Sequence, residues 1–239
     1  MAARNSERWK ARPRRLCRLR YGFDFVLLSQ NFAQNDKEEM RAPTEMTLTA
    51  VLLAGGEARR MGKDKAEIFF GGQFLWQRQL ELLRRLRPEK ILVSVRAKPS
   101  WLPADAELLL DEPPSCGPLS GLTRALAQMQ TSHLVALAID MPFIQSEQIA
   151  VLWRLATIGC GVLPMIGDRA EPLAAIYPRE AAGDFSAALA GRDFSLQRLS
   201  RTLVQNGKLS VFQVPARDAE LYQSLNKPAD LKPSPEFGA

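Results

Sequence analysis

Residues 51–65 constrain this chain more than any other stretch. They read Val51-Leu52-Leu53-Ala54-Gly55-Gly56-Glu57-Ala58-Arg59-Arg60-Met61-Gly62-Lys63-Asp64-Lys65. An apolar run from Thr49 to Leu53 meets two glycines and then a basic loop. Such a run, closed by glycine, reads as a buried strand feeding a turn. Glycine takes φ > 0 and carries no Cβ, so backbone N–H groups can approach a phosphate. Arg59, Arg60, Lys63 and Lys65 add positive charge where a polyphosphate would sit. The expected element is a strand whose carboxyl end holds a phosphorylated ligand.

From that strand onward, strands and helices alternate. Ile68-Phe69-Phe70 before Gly71-Gly72 predicts a short extended piece and a turn. Leu75, Trp76, Leu80, Leu83 and Leu86 recur at helical spacing across 74–86, with Arg78, Glu81, Arg84 and Arg85 opposite and Pro88 beyond the end. Further strands are predicted at 91–95, 107–110, 134–139, 161–165, 173–177 and 211–214. Helices are predicted at 122–129, after Ser146 as an N-cap, at 181–190 and at 196–206, with a helical or turned end at 219–232. His133, the single histidine, precedes the 134–139 run and reads as a helix-end residue rather than a catalyst. The 134–139 run is apolar throughout, as in a central parallel strand buried on both faces. The order predicts the α/β class, a mostly parallel sheet with helices on both faces. In such sheets ligands lie beyond the carboxyl ends of strands. Gly55, Gly56, Ser94, Asp111 and Asp140 all fall there.

Length and charge fix the domain plan. A chain of 239 residues with 46% hydrophobic and 24% charged residues fits one α/β domain with a tail. The net charge of +6 suggests nucleic acid until it is located. Residues 1–20 hold eight basic side chains against Glu7 alone, a local +7, so residues 21–239 sum to −1. The basic character belongs to the tail. We expect residues 1–45 to be a basic, disordered extension and residues 46–239 to form the domain, with no nucleic-acid partner for the domain. A transit peptide or nucleic-acid arm is the competing reading of the tail. Residues 21–28 are too short and too polar at Asp24 for a secretory signal, and no apolar run reaches the ~20 residues of a membrane helix. Cys17, Cys116 and Cys160 lie far apart with no CxxC, which argues against a disulfide framework or zinc site and fits a reducing cytoplasm.

Two glycine motifs are excluded. A P-loop needs GxxxxGK followed by Ser or Thr. Here five residues separate Gly56 from Gly62, and Asp64 follows Lys63. No GxGxxG is present, and a lone histidine leaves no Ser-His-Asp triad. What remains is glycine backbone, basic side chains and Asp140 at the end of a buried strand. A carboxylate there is costly unless paired or holding a metal, and Mg²⁺ takes one or two carboxylates plus substrate phosphates. Together these describe a nucleoside-triphosphate site.

Leu53-Ala54-Gly55-Gly56, Arg60-Met61-Gly62 and Asp64-Lys65 resemble the LAGGxxxRMGxDK signature of the molybdenum cofactor guanylyltransferase family. Asp111 with Gly117-Pro118-Leu119-Ser120-Gly121 resembles that family's D…GPLxG loop, and Asp140-Met141-Pro142-Phe143 its DxPF segment. Pro172-Leu173 and Asn226-Lys227-Pro228-Ala229-Asp230-Leu231 resemble its PLxAxY strand and NTPEDL close. The matches run in order over residues 48–231.

The resemblance implies a three-layer Rossmann-like nucleotidyltransferase fold. It implies transfer of GMP from GTP to the phosphate of molybdopterin, with Mg²⁺ as cofactor and pyrophosphate released. Proteins that deliver molybdopterin or receive the finished cofactor would be the partners. By the same resemblance Leu53, Ala54, Gly55, Gly56, Lys65, Ser94 and Asp111 would bind the nucleotide. Asp140 and Asn226 would hold the metal, and Arg60, Lys65 and Asp140 would carry catalysis. Ser94 stands where relatives often carry Asn, and Glu171 where they often carry another polar residue. The Gly55-Gly56 pair resembles guanylyl-transferring members, whereas cytidylyl-transferring relatives tend to carry Ala-Gly. A phosphate nucleophile is already ionised at pH 7, so charge neutralisation and alignment at the α-phosphorus are the work required. A relative using CTP or a sugar phosphate shares the N-terminal half, with 171–177 and 192–198 as discriminating stretches. A non-catalytic nucleotide-binding module is the reading from another class.

Overall fold

The computed structural model describes residues 46–55, 64–111, 116–191 and 193–225. Strand β1 (Leu48–Leu53) is flanked on both sides, so all six of its residues are buried. Next come a 3₁₀ turn at Lys65–Glu67, the hairpin β2 (Phe69–Phe70) and β3 (Gln73–Phe74), and α1 (Leu75–Arg85). β4 (Lys90–Val95), β5 (Glu107–Leu110), α2 (Pro118–Gln128), β6 (His133–Ala138) and α3 (Ser146–Leu155) complete the first half. The second half holds β7 (Gly161–Ile166), β8 (Arg169–Ala170), β9 (Ile176–Pro178), α4 (Ala182–Ala190), α5 (Leu196–Gln205) and β10 (Leu209–Gln213). The sheet order is β10-β7-β9-β6-β1-β4-β5, with β8 hairpinned onto β7.

β1 runs parallel to β4, with Leu53 opposite Ser94, and parallel to β6, with Leu53 opposite Ala138. Alternate residues of one strand then serve two cores. Ala50 and Leu52 join Leu75, Leu80 and Leu83 of α1 and Ile149 and Leu152 of α3. Val51 and Leu53 join Leu119, Leu122 and Leu126 of α2, Phe185 of α4 and Leu199 and Leu203 of α5. Helices therefore cover both faces of a mostly parallel sheet, the architecture the alternation predicts.

Four local readings need correction. The strand expected at 173–177 is a 3₁₀ turn, Pro172–Ala174, followed by β9. Pro172 opens the turn where no N–H is needed, and the Tyr177 hydroxyl donates to its carbonyl at 2.7 Å. β9 also runs antiparallel to β6 and β7. Ser146 is the first residue of α3 and Gln145 its N-cap, whose N–H donates to Gln148 Oε1 at 3.2 Å. His133 begins β6 and is fully buried, edge-on to Trp153 at 5.4 Å. A 3₁₀ helix at Ala216–Tyr222 begins before the turned end expected at 219–232, of which 226–232 lie outside the described residues.

Candidate active site

The site begins where β1 stops. Ala54 N–H donates to Ser94 O at 2.8 Å, carrying the β1–β4 pairing one residue further, and Gly55 then leaves the sheet. Asp111 N–H donates to Val95 O at 2.8 Å, which fixes the end of β5 beside the end of β4. The Ser94 hydroxyl donates to Asp111 Oδ1 at 2.9 Å. A Cβ on Gly55 would lie 2.9 Å from Asp111 Oδ2. Gly55 is therefore the residue type that leaves the second carboxylate oxygen room. Leu53, Ala54, Gly55, Ser94 and Asp111 thus meet at one edge.

The Gly117–Gly121 segment closes this pocket from the other core. Gly117 sits at φ 67°, in the left-handed region that favours glycine. Pro118 then starts α2, and Ser120 Oγ accepts from Cys116 N–H at 2.8 Å. A Cβ on Gly121 would overlap Ser94 Oγ and lie 2.9 Å from Leu53 Cδ2. The bare Cα lets α2 press against both strand ends. Burial pushes the Asp111 carboxyl up, while the Ser94 hydroxyl and the charges of Arg96 and Arg124 pull it back. Ser94 itself is 2% exposed, so its direct role is to orient Asp111.

One strand away, on the other side of β1, stands a second polar group. Lys65 Nζ donates to Asp140 Oδ2 at 2.7 Å and to Leu225 O at 2.9 Å. Leu225 N–H donates to Asp140 O at 2.7 Å. The 3₁₀ turn, the end of β6 and the C-terminal segment are stitched at one point. Asp64 makes the turn by accepting from Ala66 N–H at 3.0 Å, which aims Lys65 inward. Helix α1 holds the segment after Asp140: buried Gln79 donates from Nε2 to Met141 O at 2.7 Å, and Arg78 Nε donates to Pro142 O. Gln79 and Arg78 are positioning residues the sequence reading missed. Gln79 lies among the core-facing positions of α1, and a polar residue there was the available signal.

Lys65 and Asp140 are therefore in contact, and Leu53, Ala54, Gly55, Ser94 and Asp111 form the neighbouring cluster. Arg60, Gly56 and Asn226, with Arg59 and Lys63, lie outside the described residues. Glu171 precedes the 3₁₀ turn before β9, and its N–H donates to Pro164 O of β7 at 2.9 Å. Among the described residues no three His, Cys, Asp or Glu side chains gather into a preformed metal centre. A strand-end carboxylate beside a lysine, with no His or Cys, is a hard donor set. It fits Mg²⁺ that shares its coordination with phosphates. No helix among the described residues is long and apolar enough to cross a membrane.

Residues 50–207 match the MobA-like NTP transferase domain. A protein of Opitutus terrae named probable molybdenum cofactor guanylyltransferase is 35% identical over 77% of this chain and 92% of its own length. The molybdenum cofactor guanylyltransferase of Cereibacter sphaeroides is 31% identical over 78% of this chain and 94% of its own. The crystal structure of molybdopterin-guanine dinucleotide biosynthesis protein A from Archaeoglobus fulgidus shares the fold, with a TM-score of 0.61 and 24% identity over 77% of this chain and 94% of that one. The glycine turn after β1, the flanking carboxylates and the match along most of the domain lead to one assignment: this chain belongs to the MobA-like NTP transferase family of nucleotidyltransferases.

Proposed function

We propose that this protein transfers GMP from GTP to the phosphate of molybdopterin in the cytoplasm, forming molybdopterin guanine dinucleotide and releasing pyrophosphate. One observation carries the reading. Two carboxylates stand at the same sheet edge, Asp111 after β5 with Oδ2 beside Gly55 and Asp140 after β6 paired with Lys65. The first suits a nucleoside and the second a phosphate chain. β6, β1, β4 and β5 lie side by side, roughly 14 Å across three strand spacings, and Asp111 leans back toward β1, with Oδ2 2.9 Å from where a Gly55 Cβ would stand, so one nucleotide can touch both. The guanylyltransferase names of the relatives support the base and the acceptor.

In this reading Asp111 accepts from donors of the nucleoside, and Ser94 keeps it aligned. Gly55 admits the nucleoside against that carboxylate. A phosphate oxygen of molybdopterin attacks the α-phosphorus of GTP; the bond from that phosphorus to the β-phosphate bridging oxygen breaks, and pyrophosphate leaves. The attacking oxygen carries no proton at pH 7, so no general base is required. Lys65 moves charge compensation from Asp140 to the triphosphate, and Arg60 is assigned the departing pyrophosphate. Asp140, with Asn226, would hold Mg²⁺, which when bound offsets negative charge on the phosphates. Proteins that supply molybdopterin or accept the dinucleotide would dock near this edge.

The test is one incubation series with molybdopterin, Mg²⁺ and each of GTP, CTP, ATP and UTP, scored by pyrophosphate release. GTP is expected to give product well above the other three. No product with GTP, or a preference for CTP, overturns the reading.

A further inference from the structure

Helix α1 carries one polar residue in an otherwise apolar inner stripe. Its buried positions are Leu75, Gln79, Leu80, Leu82 and Leu83. Gln79 is fully buried. Its Nε2 donates to Met141 O at 2.7 Å, and its Oε1 has no hydrogen-bond partner among the described residues. A carbonyl oxygen only accepts, so the amide nitrogen must face Met141 and the oxygen is the atom left over. An amide buried with its acceptor unpaired is costly. Met141 O does not depend on that amide, because Ile144 N–H also reaches it, at 3.4 Å. Leucine or methionine would fill the same space with no polar atom to satisfy. The fold by itself gives no reason for glutamine at this position.

The segment that Gln79 holds does give one. Residues 139–145 join β6 to α3 with neither helix nor strand. Three successive carbonyls there are each taken by a donor from elsewhere in the chain: Asp140 O by Leu225 N–H, Met141 O by Gln79 and Pro142 O by Arg78 Nε. Helix α1 supplies two of these ties. The same helix also sets Lys65. Its first residue, Leu75, donates its N–H to Ile68 O at 2.9 Å, and Ile68 N–H donates to Lys65 O at 3.2 Å. Lys65 and Asp140, in contact at 2.7 Å, are therefore both referred to one rigid helix. Lys65 is set from its first residue, and Asp140 from Gln79. A displacement of ~1 Å between reacting groups can cost about 100-fold in rate.

We propose that Gln79 is a positioning residue for nucleotidyl transfer: it fixes the 140–142 segment against Lys65, and the chain keeps a half-satisfied amide in its core for rate at the expense of stability. The inference rests on the proposed transfer reaction for the groups that react. Gln79 itself is buried and touches no substrate. Without its bond the 140–142 segment keeps the turn bond from Ile144 but loses a tie to α1, so Asp140 and Lys65 lose their common frame. The nucleoside contacts at Gly55 and Asp111 stay in place. The defect then falls on kcat and leaves KM for GTP nearly unchanged.

Two variants of the full chain test this. Gln79→Met keeps the volume and removes the donor. Its kcat with GTP is expected to fall about tenfold or more, with KM for GTP within about twofold of wild type. Its melting temperature, read without nucleotide or metal, is expected to match wild type or to rise by up to ~4 °C. Gln79→Glu keeps the shape and restores a donor while the new carboxyl is protonated, a form that burial favours. Its kcat is expected to be close to wild type at pH 6 and to fall relative to wild type as pH rises and the carboxyl ionises. Wild-type kcat in Gln79→Met overturns the proposal. So does a Gln79→Met protein that fails to fold or melts more than ~4 °C lower, because the amide is then needed by the fold. A Gln79→Glu protein as slow at pH 6 as Gln79→Met overturns it too. Each variant is scored against wild type on whichever triphosphate the wild type uses, so a wrong base assignment leaves the test intact. A wild type inactive with all four triphosphates takes down both readings; an active wild type with unaffected variants takes down only this one.

Discussion

Replacing Gly55 by alanine tests how the site admits its nucleotide. The added Cβ would stand 2.9 Å from Asp111 Oδ2, 3.6 Å from Val95 Cα and 3.8 Å from Arg96 Cγ. The last two are ordinary contacts, so only the carboxylate must give, from 2.9 Å to the 3.4 Å of normal contact. The Asp111 backbone is fixed by its bond to Val95 O, so the side chain swings. That swing lengthens the 2.9 Å bond from Ser94 Oγ to Oδ1. A hydrogen bond to a charged group is worth about 1.5–3 kcal/mol. Partial loss at a half-buried carboxylate that water can still reach costs about 1 kcal/mol of stability, or ~2–4 °C in Tm. The effect on GTP is larger, because a misaligned carboxylate forfeits its bonds to the nucleoside. About 2 kcal/mol, a ~30-fold fall in kcat/KM for GTP, is expected, and CTP should lose less. Pyrophosphate release with each triphosphate, beside a melting curve, measures both effects. A variant that melts ~2–4 °C lower but keeps its GTP efficiency and its GTP-to-CTP ratio would refute the placement of Asp111 on the nucleotide and of Gly55 at the base.

Lys65→Met keeps the apolar stem but removes the cation from Asp140 and the donor from Leu225 O. It should cost about 1–2 kcal/mol of stability and ~100-fold or more in turnover. Turnover close to wild type in that variant contradicts the role assigned to Lys65. The stability of the fold should also depend on pH through His133. Burial lowers its pKa below the unfolded value of about 6.5, so the neutral ring is the folded form, with Nε2 3.0 Å from Thr157 O. Its contribution is complete above that unfolded value and is lost as pH falls below it, at up to about 1.4 kcal/mol per pH unit. Urea unfolding between pH 7 and 5 should show this slope, and His133→Gln should flatten it; an unchanged slope in the variant excludes His133 as its source. Removing residues 1–45 should leave GTP turnover unchanged while abolishing any salt-sensitive nucleic-acid binding of the full chain; a loss of turnover would place part of the domain within the tail.

Much of the fold was legible because each parallel strand is an apolar run followed by its own polar marker. Leu48–Leu53 runs into Gly55, Glu107–Leu110 into Asp111, and His133–Ala138 toward Asp140. Side-chain period and strand ends therefore placed these polar residues beyond the strand ends, where the sheet brings them to one edge. Capping was less legible. Ser146 looks like a cap by residue type, yet the backbone turns one residue earlier, where Gln148 reaches back to Gln145. Packing was not legible at all. Nothing in the string Gly117-Pro118-Leu119-Ser120-Gly121 says that a Cβ on Gly121 would meet Ser94 and Leu53. That fact depends on which strands lie under α2, which local sequence does not encode. The division of labour among Arg59, Arg60 and Lys63 lies outside the described residues.

Glu171 is legible in the sequence only as the polar residue before Pro172; its place in the fold is not, for a reason general to a sheet with one reversed strand. A parallel strand delivers to the ligand edge the residue that follows it, so a reading that inspects strand ends finds Ser94, Asp111 and Asp140. An antiparallel strand delivers the residue that precedes it. β9 lies between β6 and β7 and opposes both, so its contribution sits upstream, before Pro172, where a parallel reading sees only a strand start. Strands β1, β4 and β5 all run one way and carry Gly55, Ser94 and Asp111 at or just past their carboxyl ends. β9 runs the other way, so the segment entering it, with Glu171, lies toward the end of the sheet where β6 runs on to Asp140. A ligand edge built only from parallel strands would have its charges on departing loops, each free to vary with the next helix. Here the Glu171 backbone is tied down on both sides, its N–H donating to Pro164 O and its carbonyl accepting from Ala174 N–H.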